Sequence, residues 1–397
     1  MEGFRDFYPE DKRIQNWIFD KWRKVAEKYG YCEVDGPILE PIEIYNKSGE
    51  EIPEQIYSFT DKGGRKLALR PETTPTVARM IKEKKDLKMP IKWYSISRCL
   101  RYERSQLGRK KEFFQFNLDC LGSKNLMIDA EVIATSITIM KELGLSKKDF
   151  FVRISNRKLM EDLLLDIGIN KENLKDIYRI LDKICKYSDD EIKKELREKG
   201  VESKKVDELF KLLKIRDLSR IKINSSGLEE LKELFRLLDN YGVLDFCKLD
   251  LSIMRGFDYY TSTVFEVFDS SAEFRAIAGG GRYDNLAGVP GVGYGMGDVV
   301  IQLFLERRKK IPELKKEVDY FIAPVNENMN KKAIKIASKL RKNNFKIEVE
   351  VLNRNLGKQI NYADSINAKN LVIVGEKDKS KVTVRDMKTG KEKKVKI

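Results

Sequence analysis

Histidine is absent from this chain of 397 residues. That absence removes Ser-His and Cys-His nucleophile pairs, histidine general bases and His-ligated metal sites. Cysteine is sparse: Cys32, Cys99, Cys120, Cys185 and Cys247 are scattered, odd in number and without a CxxC pair. Such usage points to a reducing compartment and away from structural zinc. No apolar run approaches the roughly 18 residues of a membrane helix. The N-terminal MEGFRDFYPEDKR lacks a signal-peptide h-region, so a cytoplasmic protein with no membrane contact is expected. The P-loop pattern GxxxxGK[ST] is also missing. Glutamine occurs only six times, and the high Lys and Glu beside it suit a hot habitat.

The length is enough for two or three domains. Hydrophobic residues at 41% and charged residues at 36% suit a globular chain with a well-charged surface. Lys+Arg of 78 against Asp+Glu of 63 leaves a net charge of +15. Residues 317–397 hold 19 Lys+Arg and 10 Asp+Glu, so +9 of that excess lies in the last fifth of the chain. A basic module of this kind suits a polyanion, RNA above all. A solvated Lys-rich surface is the plainer reading of the same charge.

Along the chain, Ile14, Trp17, Ile18, Trp22, Val25 and Ala26 form one helical stripe, closed by Gly30. Residues 91–122 read as two antiparallel strands joined by a basic loop over Ser105–Lys111, and 127–144 read as a helix. From 157 to 227 there is no Pro or Trp, and four amphipathic patterns suggest an all-helical insertion. Residues 228–310 return to strand-like text rich in Gly and aromatics. A charged hinge, ERRKKIPELKKE, precedes residues 317–397, where VDYFIAP, FKIEVEVL and NLVIVG read as strands alternating with two helices. That is the βαβαβ pattern of a small parallel-sheet domain.

Chemistry concentrates on the first hairpin. Alternation puts Arg101, Glu103, Phe113, Gln115 and Asp119 on comparable faces, with Arg109 near the loop. Arginines, carboxylates, an amide and an aromatic together are costly to bury without ligands. They suit a triphosphate and a cationic or zwitterionic substrate: arginines take phosphate oxygens, the aromatic stacks on a base, and carboxylates take ammonium or ring N–H groups. The loop Leu69-Arg-Pro-Glu-Thr-Thr74 adds an acid and two hydroxyls, and Met254-Arg-Gly-Phe-Asp-Tyr-Tyr260 adds an arginine and two tyrosines. Each of these two segments alone could equally be structural. The glycine run Gly291–Gly297 loosely mimics a dinucleotide fingerprint, but no clear βαβ unit or suitably placed acid accompanies it.

Four segments carry a family resemblance. GYCEVDGPILEP (30–41) resembles motif 1, the dimer-forming strand, and RYERSQLGRKKEFFQFNLDCLG (101–122) resembles motif 2, of class II aminoacyl-tRNA synthetases. RGFDYYTSTVFE (255–266) and AGGGRYDNL (278–286) resemble segments peculiar to the histidyl enzymes. The resemblance implies an α+β fold: an antiparallel-sheet catalytic core in two parts (1–156 and 228–310), a helical insertion (157–227) and a C-terminal α/β anticodon-binding domain (317–397). It implies a homodimer that uses ATP and Mg²⁺ to join L-histidine to tRNA through a histidyl-adenylate.

By the same resemblance, Arg101 holds the ATP α-phosphate and the substrate carboxylate, Glu103 and Phe113 orient and stack the adenine, and Arg109 sits near the phosphates. Glu72, Thr73 and Thr74, with Gln115, hold the α-ammonium of histidine; Asp119 and Tyr260 read its imidazole, with Tyr259 beside them. Arg255 neutralises charge that develops during adenylation. Adenylation needs positive clamps more than proton transfer, so a chain without histidine can perform it. The chain departs from the class at motif 3, where Val300 stands in the place of an ATP-clamping arginine, and in the motif 2 loop. A catalytically silent relative, such as a regulatory subunit of ATP phosphoribosyltransferase, is the competing reading. Such relatives generally lack both the C-terminal domain and the arginine at 255, and this chain has both. A class II synthetase for another amino acid is the third, although Asp119, Tyr259 and Tyr260 suit an imidazole better than a small aliphatic group.

Overall fold

Proline in the first turn fixes the start of helix α1 (Pro9–Lys28). The Asp11 carboxylate accepts the Tyr8 amide at 3.1 Å and closes that end. Ile18, Phe19, Trp22, Val25 and Ala26 are buried along one face, as their spacing predicts. Gly30, at φ +78°, turns the chain out of the helix in the left-handed region. The computed structural model describes residues 2–45, 55–104, 106–181, 183–184, 187–253, 260–376 and 381–396. Met1–Ile311 form one compact unit and Pro312–Ile397 a second.

In the first unit α1 is followed by β1 (Cys32–Glu33), β2 (Leu39–Pro41), β3 (Ser58–Thr60), β4 (Lys66–Leu69), α2 (Thr74–Glu83), β5 (Ile91–Leu100), β6 (Glu112–Leu121) and α3 (Met127–Glu142). β7 (Phe150–Asn156) leads into α4 (Arg157–Asp166), α5 (Leu174–Leu181), α6 (Asp189–Glu198), α7 (Ser203–Leu213) and α8 (Ser226–Asn240). The unit closes with β8 (Cys247–Leu249), β9 (Thr263–Asp269), β10 (Ala278–Leu286), β11 (Val289–Gly297) and α9 (Asp298–Arg307). Among the described residues, eight strands form one sheet in the order β1-β5-β6-β11-β10-β9-β7-β8. Its pairings are antiparallel except β1–β5 and β7–β8.

The β5–β6 hairpin is where the sequence places it, in continuous register from Ile91↔Leu121 to Leu100↔Glu112. Its two faces separate core from site. Phe116, Leu118 and Cys120 pack with Trp22 of α1 and Ile133 of α3 in the main hydrophobic core. Phe113, Gln115, Asn117 and Asp119 alternate with them and take the other face.

The strand-like reading of 228–310 fails at its start, because Ser226–Asn240 is helical. Leu228, Leu231, Leu234 and Leu238 recur at helical spacing and are all buried. Ser225 caps the helix, its hydroxyl accepting the Gly227 amide at 3.1 Å. The helical stretch therefore runs on past residue 227.

In the second unit, β12 (Val318–Pro324), α10 (Asn330–Lys342), β13 (Ile347–Val349), α11 (Leu356–Ser365) and β14 (Ala368–Val374) give the expected βαβαβ, with β12 parallel to both β13 and β14. FKIEVEVL is strand only over its middle three residues. β15 (Lys381–Asp386) and β16 (Glu392–Lys396) extend the sheet antiparallel, which the sequence reading did not include. Ile322 packs with Ala333 and Ile336 of α10, while Phe321 and Ala323 pack with Ala363 of α11. The two helices thus use alternate residues of one strand, as a sheet buried on both faces requires.

Candidate active site

The glycine run that mimics a dinucleotide fingerprint is strand β11, the neighbour of β6 in the sheet. Val292, Tyr294 and Met296 point into the core opposite Cys120, Leu118 and Phe116. Gly291, Gly293 and Gly295 occupy the alternate face and leave it bare. The space is needed. A Cβ on Gly293 would stand 2.1 Å from Asp119 Oδ1, and one on Gly295 would stand 2.7 Å from Gln115 Nε2. In β10, a Cβ on Gly281 would stand 2.8 Å from the Tyr260 ring. Asp119, Gln115 and Tyr260 therefore lie down on a glycine floor, and only hydrogens fit beneath them.

Asp119 is buried, and the Tyr283 hydroxyl donates to its Oδ1 at 2.7 Å. Burial pushes the carboxyl up to about 6; the Tyr283 hydrogen bond opposes that rise and the nearby Glu72 charge adds to it. Gln115 donates through Nε2 to Asn117 Oδ1 at 2.8 Å. Glu72, Thr73 and Thr74 are buried at the entry to α2. Pro75 in its first turn fixes the direction in which that helix leaves them. The hairpin and the α2 loop thus bring two carboxylates, an amide and hydroxyls to one apolar-walled region, with Val77, Val264 and Tyr283 packed at its end.

Beyond the strand end the same hairpin carries its arginines. Arg101 donates through Nε to the Pro71 carbonyl at 2.9 Å, and its guanidinium lies 5.1 Å from the centre of the Phe113 ring. Arg109 pairs with Glu103 at 2.9 Å. Glu103 is 3.9 Å from Arg101, so one carboxylate is shared between two guanidiniums. Arg70, buried in the preceding loop, donates to Asp35 at 2.9 Å and to the Gly36 carbonyl at 3.0 Å. It ties the 30–41 segment to the base of the hairpin.

Glu72, Thr73, Thr74, Arg101, Glu103, Arg109, Phe113, Gln115, Asp119 and Tyr260 all belong to this face or its rim. Arg255 and Tyr259 lie outside the described residues. Sequence reasoning gave no role to Tyr283, Asn117 or the alternate glycines. The period-two glycine spacing of 291–297 was the available signal for a bare strand face.

Two residues before Val300, α9 is anchored at its first residue. Asp298, the first residue of α9, is buried and accepts from Arg5 at 2.8 Å and from the Phe114 amide at 2.9 Å. It fastens α9 to both β6 and the N-terminal segment.

A family model described as histidyl-tRNA synthetase matches residues 3–295. The chain belongs to the histidyl-tRNA synthetase family. A model described as an anticodon binding domain matches residues 319–397. The histidine–tRNA ligase of Thermoplasma volcanium is 39% identical over 409 residues, spanning 99% of this chain and 95% of that one. The histidine–tRNA ligase of Haloarcula marismortui is 38% identical over 411 residues, spanning 99% and 94%. Among solved structures, the histidyl-tRNA synthetase of Nostoc sp. PCC 7120 superposes with a TM-score of 0.83 at 25% identity, covering 99% of this chain and 96% of that one.

Proposed function

We propose that the glycine-floored cleft is where this family member activates histidine with ATP, the arginine rim taking the nucleotide and the buried carboxylates taking the amino acid. The activity is that of the family: ATP-dependent attachment of L-histidine to its tRNA, through a histidyl-adenylate, with release of AMP and diphosphate. The observation that carries the assignment is the layout of one hairpin face. Arg101 and Arg109 stand at its open end and Asp119 at its buried end, with Gln115 between.

The roles are those the family resemblance implies, and the layout supports them for the described residues. Arg101 faces the α-phosphate and the histidine carboxylate, holding two anions close enough to react and stabilising the charge that grows as they do. Phe113 stacks on the adenine and Glu103 orients it, while Arg109 takes phosphate oxygens. Glu72, Thr73, Thr74 and Gln115 hold the α-ammonium. Asp119, Tyr260 and Tyr259 read the imidazole. Asp119 is kept at the right place by Tyr283, and its ionised form is the acceptor for a ring N–H. Arg255 neutralises developing charge at phosphorus. A pocket of buried hydrogen-bonding groups rejects apolar amino acids because they would leave those groups unpaired.

Mg²⁺ comes with the ATP and supplies neutralisation of phosphate charge. It would keep most of its waters and take its protein contacts from one or two carboxylates. Glu266, an acidic side chain whose charge reaches Arg275, would suit that role. The basic second unit meets tRNA. We further assign a homodimer formed through the 30–41 segment, supported by the exposure of Ile38 and Leu39 there and of Phe59 on the adjoining small sheet. A cytoplasmic location is supported by the free thiols of Cys32, Cys99, Cys120 and Cys247. No helix among the described residues is long and apolar enough to cross a membrane.

The deciding experiment is histidine-dependent ATP–pyrophosphate exchange with Mg²⁺, run against the other amino acids. Exchange with histidine alone is expected. Folded protein giving no exchange, or exchange led by another amino acid, overturns the reading.

A further inference from the structure

Three segments far apart in sequence converge at the open end of the cleft. Gly108, in the hairpin loop, has φ +77°, and its side-chain direction points at two residues. A Cβ there would lie 3.1 Å from Val300 Cγ2 of α9 and 3.8 and 3.9 Å from Arg275 Cδ and Cγ. The stem of Arg275 and the Val300 side chain thus border the same volume, under the motif 2 loop.

The electrostatics at that point are unbalanced. The charges of Arg109, Arg101, Glu103 and Glu266 all act on Arg275. Arg101 is engaged with the Pro71 carbonyl and the Phe113 ring, and Arg109 with Glu103. Arg275 has neither a hydrogen bond nor an ion pair among the described residues, and its side chain is open to solvent. Its guanidinium pKa is nevertheless lowered, by surrounding protein first and by the Arg109 charge second. Three guanidiniums held in one cleft repel one another, and a dense anion relieves that repulsion.

We infer that Arg275 is a nucleotide-binding residue: from the loop before β10 it supplies the triphosphate clamp that a side chain as short as Val300 cannot. This rests on the cleft being the ATP site proposed above. Where α9 presents only an isopropyl group, the stem of Arg275 fills the space beside it and carries a guanidinium to the phosphates. Arg275 lies outside every motif by which the family is recognised in this sequence, so spacing alone gave no reason to single it out.

The test is steady-state exchange kinetics on the full-length protein with Arg275→Ala and Arg275→Lys. Loss of a charge-assisted contact to phosphate predicts that Arg275→Ala raises the KM for ATP about ten- to hundred-fold. The KM for histidine and the melting temperature stay at wild-type values. Arg275→Lys, which keeps the charge and loses the fork, recovers part of the ATP affinity. Competition by AMP, which lacks the outer phosphates, is the same in wild type and Arg275→Ala. An ATP KM within two-fold of wild type in Arg275→Ala overturns the inference, as does an equal loss for ATP and AMP. Absence of exchange in the wild type itself marks failure of the functional reading instead.

Discussion

The Tyr283 hydroxyl and the Asp119 carboxylate, 164 residues apart in sequence, meet at 2.7 Å on the buried floor of the cleft. Strand β10 carries the donor and β6 the acceptor, with the glycine strand β11 running between them. Removing the donor leaves a buried carboxylate with less to stabilise its charge. Tyr283→Phe is therefore expected to raise the KM for histidine about ten-fold, because a hydrogen bond to a charged group is worth about 1.5–3 kcal/mol. Turnover at saturating histidine should change far less. Exchange kinetics over a histidine series read both numbers, and an unchanged KM would remove Tyr283 from the site.

The same carboxylate makes stability depend on pH. Its folded-state value of about 6 lies above the ordinary 3.8, so the native state keeps this proton longer than the unfolded chain does. Stability is then lost as pH rises from about 4 to 6 and stays lost above that. Asp119→Asn cannot titrate. Its stability relative to wild type should rise across that window, followed by urea unfolding of the catalytic unit at several pH values. A constant difference across the window would mean that Asp119 titrates normally in the folded protein.

Glycine substitutions separate the floor from its margin. Gly293→Ala brings a methyl group to 2.1 Å from Asp119 Oδ1, whereas Gly297→Ala at the start of α9 meets nothing within 4 Å. Overpacking of this kind costs about 1–3 kcal/mol. Gly293→Ala is expected to lower the melting temperature and abolish saturable histidine binding. Gly297→Ala is expected to keep both close to wild type. Calorimetric titration with histidine checks the pair, and equal behaviour of the two variants would rule out the floor.

Truncation after Ile311 removes the second compact unit. Residues 317–397 carry a net charge of +9, so the loss should fall on tRNA. Binding of tRNA is expected to weaken at least ten-fold and to lose much of its salt dependence, while histidine-dependent exchange persists. Filter binding across a salt series reads the first, and unchanged tRNA affinity would deny the unit an RNA role.

Legibility followed the range of the interactions. The β5–β6 hairpin was readable because Phe113, Gln115 and Asp119 alternate with Phe116, Leu118 and Cys120, and a period of two is a local signal. α8 carries its own local signal in four buried leucines, but the Gly- and aromatic-rich text after it masked its spacing. β15 and β16 were missed for a different reason. Their charged residues make KVTVRD and EKKVK look like solvated loop, and in β16 the lysines are of the kind that protects a strand at a sheet edge. Of the site, the family motifs point to the residues proposed to touch ligands. They leave Tyr283 as part of a motif string and give no hint of Arg275, because the partner of Tyr283 lies 164 residues away in sequence and Arg275 meets the hairpin loop only in the folded chain.

A floor made of hydrogens leaves only one direction of change. Nothing can be trimmed from Gly281, Gly293 or Gly295, so the cleft is as deep as this backbone permits. Every substitution at those positions makes it shallower. Accommodation of a bulkier amino acid has to come from the walls, at Tyr260, Gln115 or Asn117. Any drift that begins in the floor narrows the choice of substrate and never widens it.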